Sequence, residues 1–335
     1  MSPTLDPSNS DPWRAARDAA IVTRLDALAL VDVDGADAAT FLNGQLSSDV
    51  LALERGRGHW TSYNSPKGRM LANPFLYRPL GGPAFRLVVP VDIAEPVRKR
   101  LTMFVLRSKV TLAENRAVAA IGVGGPGGGD AVRSALGVAA SAHAVVAAPG
   151  APAEVVGLPD GRILIVVDAA GIDDVLARLA RTATTSPQDV WRWLAIRAGV
   201  AQIGAATQDR HVAQTANWEV VGGVSFTKGC YTGQEIVARA QHLGVLKERA
   251  HPFRIDAAAP PPGTPLVSPV FGDQACGSVL DAVDLPGGGA ELLAVVQVSA
   301  ADAPGLRLGS ADGAPLEPLP LPYTLPTSAP RRVKL

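Results

Sequence analysis

The chain has 335 residues, more than one compact core usually absorbs, and 47% are hydrophobic against 19% charged, which is the profile of a globular protein of two or three domains. Its 31 basic residues balance its 31 acidic ones, which argues against a dominant non-specific nucleic-acid binder. Two cysteines, Cys230 and Cys276, argue against a disulfide framework and cannot alone form a four-thiolate metal site, and no apolar run approaches the ~18 residues of a membrane span.

Residues 1–20 are polar and lack the basic start and apolar stretch of a signal peptide, so they read as a loose tail ending in a short helix, and the expected compartment is the cytoplasm. LALVDVDGAD (28–37) suggests a strand ending in a turn at Gly35. DAATFLNGQLSSDV (37–50) suits a short amphipathic helix with Ala38, Phe41 and Leu42 inward. HWTSYN (59–64), MLANPFLY (70–77) and AFRLVVP (84–90) alternate like strands, punctuated by turns at SPKG and LGGP. VDIAEPVRKRLTMFV (91–105) reads as a helix with Pro96 in its first turns, where a missing N–H is tolerated. SKVTLAEN and AVAAIGV follow as strands. Further on, RILIVVD (162–168) has the composition of a buried strand. GIDDVLARLA (171–180) and SPQDVWRWLAIRAGV (186–200) are helices, the second opening on Ser186 and Pro187. Strands and helices interleave without a strict βαβ rhythm, so the expected class is α+β.

The texture changes near residue 251, where short strands and turn residues replace helices, as in a small all-β domain such as a barrel. The expected organisation is a flexible tail (1–20), an α+β region of two lobes (21–250), a β-barrel (251–326) and a basic tail (327–335).

GVGGPGG (122–128) contains a formal GxGxxG at Gly122, Gly124 and Gly127. Pro126 stands where backbone amides should face a phosphate, and no acidic residue follows at the spacing a dinucleotide fingerprint requires, so a plain strand–helix connection is the reading taken. The histidines have no helical metal-site spacing. His242 could meet Cys230 as a Cys–His pair or simply pack; the sequence favours packing.

The chemistry-bearing stretch is KGCYTGQE (228–235), which carries Lys228, Cys230, Gln234 and Glu235 between Gly229 and Gly233. A glycine turn brings backbone amides close to whatever it faces, and a helix starting near Gly233 would aim its positive end at the loop. With Lys228 beside it, Cys230 has the surroundings of a reactive thiol, or alternatively those of a small buried filler.

KGCYTGQE resembles the signature of the YgfZ-type folate-binding proteins, bacterial relatives of the aminomethyltransferase of glycine cleavage whose mitochondrial counterparts assist iron–sulfur cluster assembly. FLNGQLSSDV (41–50), SPKGRM (65–70), RSKVTL (107–112) and the ending EPLPLPYTLP (317–326) are similar to further segments of that family, in order, over nearly the whole chain. The resemblance implies lobes around a central channel, then a small β-barrel, with tetrahydrofolate or another reduced folate as cofactor. It implies Trp191, Lys228, Gln234, Glu235, Lys67 and Arg197 as candidate folate-binding residues, and Cys230 and Lys228 as candidate catalytic ones, with no metal ligand.

Several positions depart from the pattern. Leu28 stands for a second tryptophan, and Arg197 stands where many relatives carry an acid, for which Asp209 or Glu219 could substitute. In the transferases an aspartate follows the lysine–glycine turn position; here KGRMLAN offers Leu71 and Ala72, so transferase chemistry loses its clearest catalytic group. The resemblance therefore favours a folate-binding accessory protein that serves iron–sulfur client enzymes, including ones that thiolate tRNA, over a folate-dependent one-carbon transferase. Neither direct nucleic-acid binding nor a membrane is expected, and Cys276 is expected to be structural.

Overall fold

The computed structural model describes residues 11–242, 246–272, 274–301 and 303–326; the basic tail at 327–335 and the first ten residues of the N-terminal tail lie outside them. The chain forms two compact units, one from Met1–Asn43, Val50–His59 and Pro74–Leu194, the other from Gly44–Asp49, Trp60–Asn73 and Ala195–Leu335. No helix among the described residues is long and apolar enough to cross a membrane.

The first unit opens with the short helix Pro12–Asp18, whose first turn is capped by the Asp11 carboxylate accepting from the Trp13 amide. One of its sheets has six strands, in the order Val145–Ala147, Ala153–Gly157, Ile163–Asp168, Val118–Gly124, Ile21–Arg24 and Thr184–Thr185. Its pairs are antiparallel except the last, which is parallel. Helices Gly128–Leu136 and Ile172–Leu179 cover the sheet, and Val22, Ile121, Val132, Leu136, Ile165, Val175 and Leu179 form its core. Their alternation along strands and their three- to four-residue spacing along helices leave one face of each element apolar.

The glycine-rich loop sits in this sheet as a plain connection. Its strand ends at Gly124 and its helix begins at Gly128, but the Gly127 amide donates to the Ala19 carbonyl at 2.7 Å. Gly125 has φ +92°, and a Cβ there would lie 2.6 Å from the same carbonyl. The turn is closed around a main-chain oxygen rather than open to a phosphate.

The second sheet of this unit has the order Gly58–Trp60, Phe75–Tyr77, Phe85–Pro90, Leu28–Asp34 and Thr111–Glu114. Helix Val91–Met103 follows the central strand and buries Ile93, Ala94, Val97 and Leu101. Pro96 lies in its second turn, within the early turns expected but past the positions whose N–H is free, so the bond to the Asp92 carbonyl is lost and the ring sits on the exposed face.

The second unit ends in a six-stranded antiparallel sheet ordered Arg307–Leu308, Pro265–Val267, Ala275–Asp284, Ala290–Gln297, Glu248–Ile255 and Glu317–Pro318. Register shifts at Leu266/Val267 and Val279/Asp281 are bulges of the kind that bend strands and curl a sheet. The sheet starts three residues before the expected break, at Glu248, and carries one short helix, Val298–Ala301, that its composition did not announce. Phe253, Leu266, Val279, Leu292 and Val296 fill its core with Cys276, whose thiol donates to the Leu266 carbonyl at 3.4 Å and is pushed up in pKa by burial. The rest of this unit comprises the strand pair Tyr63–Asn64 and Met70–Ala72, the helix Gln234–His242 and the loops that bury Trp218, whose Nε1 donates to the Thr61 carbonyl at 2.9 Å.

Candidate functional site

Three separated segments meet in the second unit. The bridge Leu46–Tyr63, the pair Asn64–Met70 and the bridge Arg69–Val212 form a short ladder, reinforced by the Met70 amide donating to the His211 carbonyl at 2.8 Å. On this ladder the SPKG turn closes with the Gly68 amide donating to the Ser65 carbonyl at 2.9 Å. The Ser65 hydroxyl donates to the Asp209 carboxylate at 2.6 Å, fixing the turn to the 205–212 segment.

The KGCYTGQE loop packs directly on that turn. A Cβ on Gly233 (φ +81°) would lie 2.5 Å from the Ser65 carbonyl oxygen, and one on Gly68 (φ +70°) would lie 2.7 Å from Ile236 Cβ. Two left-handed glycines thus face one another, where any side chain would hold the segments apart. Helix Gln234–His242 starts immediately after Gly233, as expected. Gln214 Nε2 donates to the Val237 carbonyl at 2.7 Å, tying the helix down. His242 packs edge-on against Phe226 with ring centroids 5.8 Å apart, which is the packing role.

Lys228 is buried, and its Nζ donates to the Leu46 carbonyl at 2.6 Å while lying 5.0 Å from the centre of the Tyr231 ring. Burial lowers its pKa to about 8, against an opposing pull from Asp49. Lys228 therefore fastens the loop to the GQLSSD segment, where the Ser47 hydroxyl also donates to the Gly223 carbonyl at 2.6 Å. Cys230 is exposed, so it is not a core filler. Glu235 and Lys67 are exposed and Gln234 is half-buried.

Arg197 makes a two-pronged salt bridge to Glu291, whose side chain is 2% exposed on the strand Ala290–Gln297. Its guanidinium neutralises a carboxylate inside the terminal sheet. Glu219 Oε1 accepts a single hydrogen bond from Arg249 Nη1 at 2.6 Å, both side chains being buried, and burial raises the Glu219 pKa in spite of that partner. Trp191 belongs to the first unit. Its ring is buried against Gly122, where a Cβ would come within 2.6 Å of it, and the Arg162 guanidinium lies 4.5 Å from the ring centre. Leu28 opens the strand Leu28–Asp34 of the same unit.

Several buried polar atoms lie on the segments that form and adjoin the ladder. Asn64 is 1% exposed, yet neither its Oδ1 nor its Nδ2 has a hydrogen-bond partner among the described residues. The same holds for Gln45 Oε1, His211 Nε2 and the Tyr231 hydroxyl, and burial lifts the Tyr231 pKa to about 12. Burial, with Arg210 and Arg69 nearby, lowers the His211 pKa to about 4 and leaves it neutral at pH 7. Buried polar groups are nearly always satisfied, so each of these atoms keeps hydrogen-bonding capacity for a polar ligand or water. A hint was present in Asn64 itself, an amide next to Tyr63 and immediately before the SPKG turn.

A scan against protein-family models matched none. Among curated proteins, the tRNA-modifying protein YgfZ of Enterobacter sp. (strain 638) is 30% identical over 317 residues, spanning 94% of this chain and 96% of that one. The protein of the same description from Yersinia pseudotuberculosis is 31% identical over 304 residues, 90% and 92% of the two chains. Among solved structures, the glycine cleavage system aminomethyltransferase T of Bartonella henselae superposes with a TM-score of 0.73 over 92% of this chain and 87% of its own, at 14% identity. That structural match gives the α+β aminomethyltransferase fold. The sequence matches, at this identity and over nearly the full length of both partners, place the chain in the YgfZ family.

Proposed function

We propose that this protein binds a reduced folate, tetrahydrofolate, and supports the assembly or repair of iron–sulfur clusters in client enzymes, those that thiolate tRNA included, through the exposed thiol of Cys230. The observation that carries the reading is the junction of two features in one unit. A cysteine is presented at the surface on a glycine-fixed loop, and that loop is fastened to the rungs that hold unpartnered polar atoms at Asn64, Gln45, His211 and Tyr231.

These residues fit the proposed cofactor. A reduced pterin presents adjacent donors and acceptors along one edge, and a primary amide such as Asn64 matches such an edge with one donor and one acceptor side by side. Gln45 and Tyr231 add hydrogen-bonding capacity, and the neutral His211 ring can donate or accept. Lys67, exposed on the SPKG turn, suits the glutamate tail of a folate, with Gln234 and Glu235 at the start of the neighbouring helix. Arg197 acts here as a positioning residue through Glu291, and Trp191 is the family-like aromatic of the first unit. When bound, the folate would supply or accept a one-carbon unit. The chain's own contribution is to hold the thiol on a rigid support and to keep it at the surface, where a cluster in transit can reach it as cargo.

The accessory role is preferred to one-carbon transfer because the positions after the lysine–glycine turn are Leu71 and Ala72, with no carboxylate to polarise a folate nitrogen. The test is Cys230→Ala in a strain lacking the native gene. The reading requires reduced activity of cluster-dependent tRNA-thiolating enzymes while anaerobic tetrahydrofolate binding stays unchanged. Full client activity in this variant would exclude the thiol's role.

A further inference from the structure

The first unit carries a surface feature that this function does not use. Helix Val91–Met103 runs out into residues 104–110, and within four positions Met103, Phe104 and Leu106 are 73%, 44% and 87% exposed. Single exposed apolar residues are ordinary, but three large ones at one tip are not. Leu106 also has φ +47°, a left-handed conformation that a leucine adopts at a steric cost.

The tip is held in one shape. The Phe104 amide donates to Leu101 at 3.0 Å, Val105 to Thr102 at 3.1 Å, Ser108 to Val105 at 2.8 Å and Val110 to Ser108 at 3.0 Å. Its far end is clamped to the turn after the strand Leu28–Asp34. The Lys109 amide donates to the Asp37 carboxylate at 2.7 Å, and Gly35 leaves room for the Lys109 carbonyl, which a Cβ would approach to 2.0 Å. Exposed cations flank the apolar tip. Arg100, Arg107 and Lys109 have no side-chain partner among the described residues, whereas the neighbouring Arg98 and Lys99 are both occupied by Glu95. Arg107 and Lys109 belong to the RSKVTL segment, whose charges make no ion pair among the described residues.

We infer that the knuckle from Met103 to Lys109 is a docking element for a partner protein whose complementary surface is an apolar socket rimmed by carboxylates. The composition, Met, Phe and Leu with Arg at the edge, is that of a protein interface core and its rim. The fixed backbone removes the ordering cost of binding and lets the tip be read by shape, which lipid insertion does not need. A nucleic acid would call for a wide basic stripe, and the chain as a whole is neutral, with 31 charges of each sign. Unpaired cations around an apolar tip select, by charge complementarity, a partner that brings carboxylates to its edge.

The test replaces Leu106 of the full chain with a photo-crosslinking amino acid, in a strain lacking the native gene. The inference predicts an RNase-resistant adduct with one protein, identified from its cross-linked peptide, with Asp or Glu residues beside the attachment point. Charge reversal by Arg100→Glu with Arg107→Glu should lower its yield by at least about tenfold, and Lys at the partner's acidic positions should restore it. No adduct, an RNase-sensitive adduct, an adduct with lipid, or a partner whose charge swap restores nothing would overturn the inference. All substituted positions are exposed and lie in the first unit, so an unchanged urea-unfolding midpoint of the charge-reversed protein serves as the folding control. The outcome does not depend on whether the folate reading holds.

Discussion

Gly68 and Gly233 face each other across the junction of the SPKG turn and the KGCYTGQE loop, each in the left-handed region at φ +70° and +81°. Gly233 has its absent Cβ 2.9 Å from the Gly68 Cα and 2.5 Å from the Ser65 carbonyl. Two motifs separated by more than 150 positions are joined by the lack of two side chains, and the thiol of Cys230 rides on that joint.

Gly233→Ala should therefore destabilise the protein by about 3 kcal/mol, combining left-handed strain with overpacking against main chain. The contrasting substitution is Gly129→Ala. Gly129 is exposed within helix Gly128–Leu136 and has nothing within 4 Å of its absent Cβ. There alanine should stabilise by about 0.5–1 kcal/mol. Urea unfolding of both variants against the parent checks the pair, and equal effects would contradict the proposed role of the glycine joint.

Arg197 is required by Glu291. Arg197→Met leaves a carboxylate that is 2% exposed without its guanidinium and should cost about 3–5 kcal/mol, the scale of breaking a buried ion pair. Glu291→Gln in the Arg197→Met background should recover much of that loss. A loss of the same size with and without Glu291 would mean that Arg197 acts through something else.

His211 should make the protein acid-sensitive. Its folded-state pKa of about 4 lies below the 6.5 of an exposed histidine, so the unfolded chain binds more protons between those values. Stability should fall as the pH drops from about 6.5 to 4, and His211→Gln should lessen that slope. Unfolding midpoints at pH 7, 6, 5 and 4 provide the check. Lys228 works in the opposite window: its pKa of about 8 against 10.5 unfolded means that stability relative to Lys228→Met should rise between about pH 8 and 10.5.

Much of the fold was legible because it is encoded locally. The strand Leu28–Asp34, the helix Ala38–Gln45 with Phe41 and Leu42 inward, and the helix after Gly233 follow from apolar period and glycine position. The helix after the strand Phe85–Pro90 was also legible from its start at Val91, but Pro96 lies beyond the first turn, where a missing N–H is no longer without cost. The pairing of Arg197 with Glu291 and of Glu219 with Arg249 was hidden for another reason. Charged residues at those separations carry no sequence signal of their partners, and only tertiary packing brings them together. The same applies to the unpartnered amide of Asn64. Its chemistry can be read from the letter, but its burial depends on three strands that meet only in the folded chain.

The most direct measurement is an anaerobic tetrahydrofolate titration of the parent protein and Asn64→Leu, followed by tryptophan fluorescence and paired with urea unfolding. The Asn64 side chain has no hydrogen-bond partner to lose among the described residues, so leucine should leave stability unchanged or raised. Loss of its donor and acceptor should weaken folate binding by about tenfold or more. Saturable binding by the parent, weakened in a fully folded variant, is the predicted result. No binding by the folded parent, or equal binding by both proteins, would contradict the assignment of Asn64 and its neighbours to a folate site.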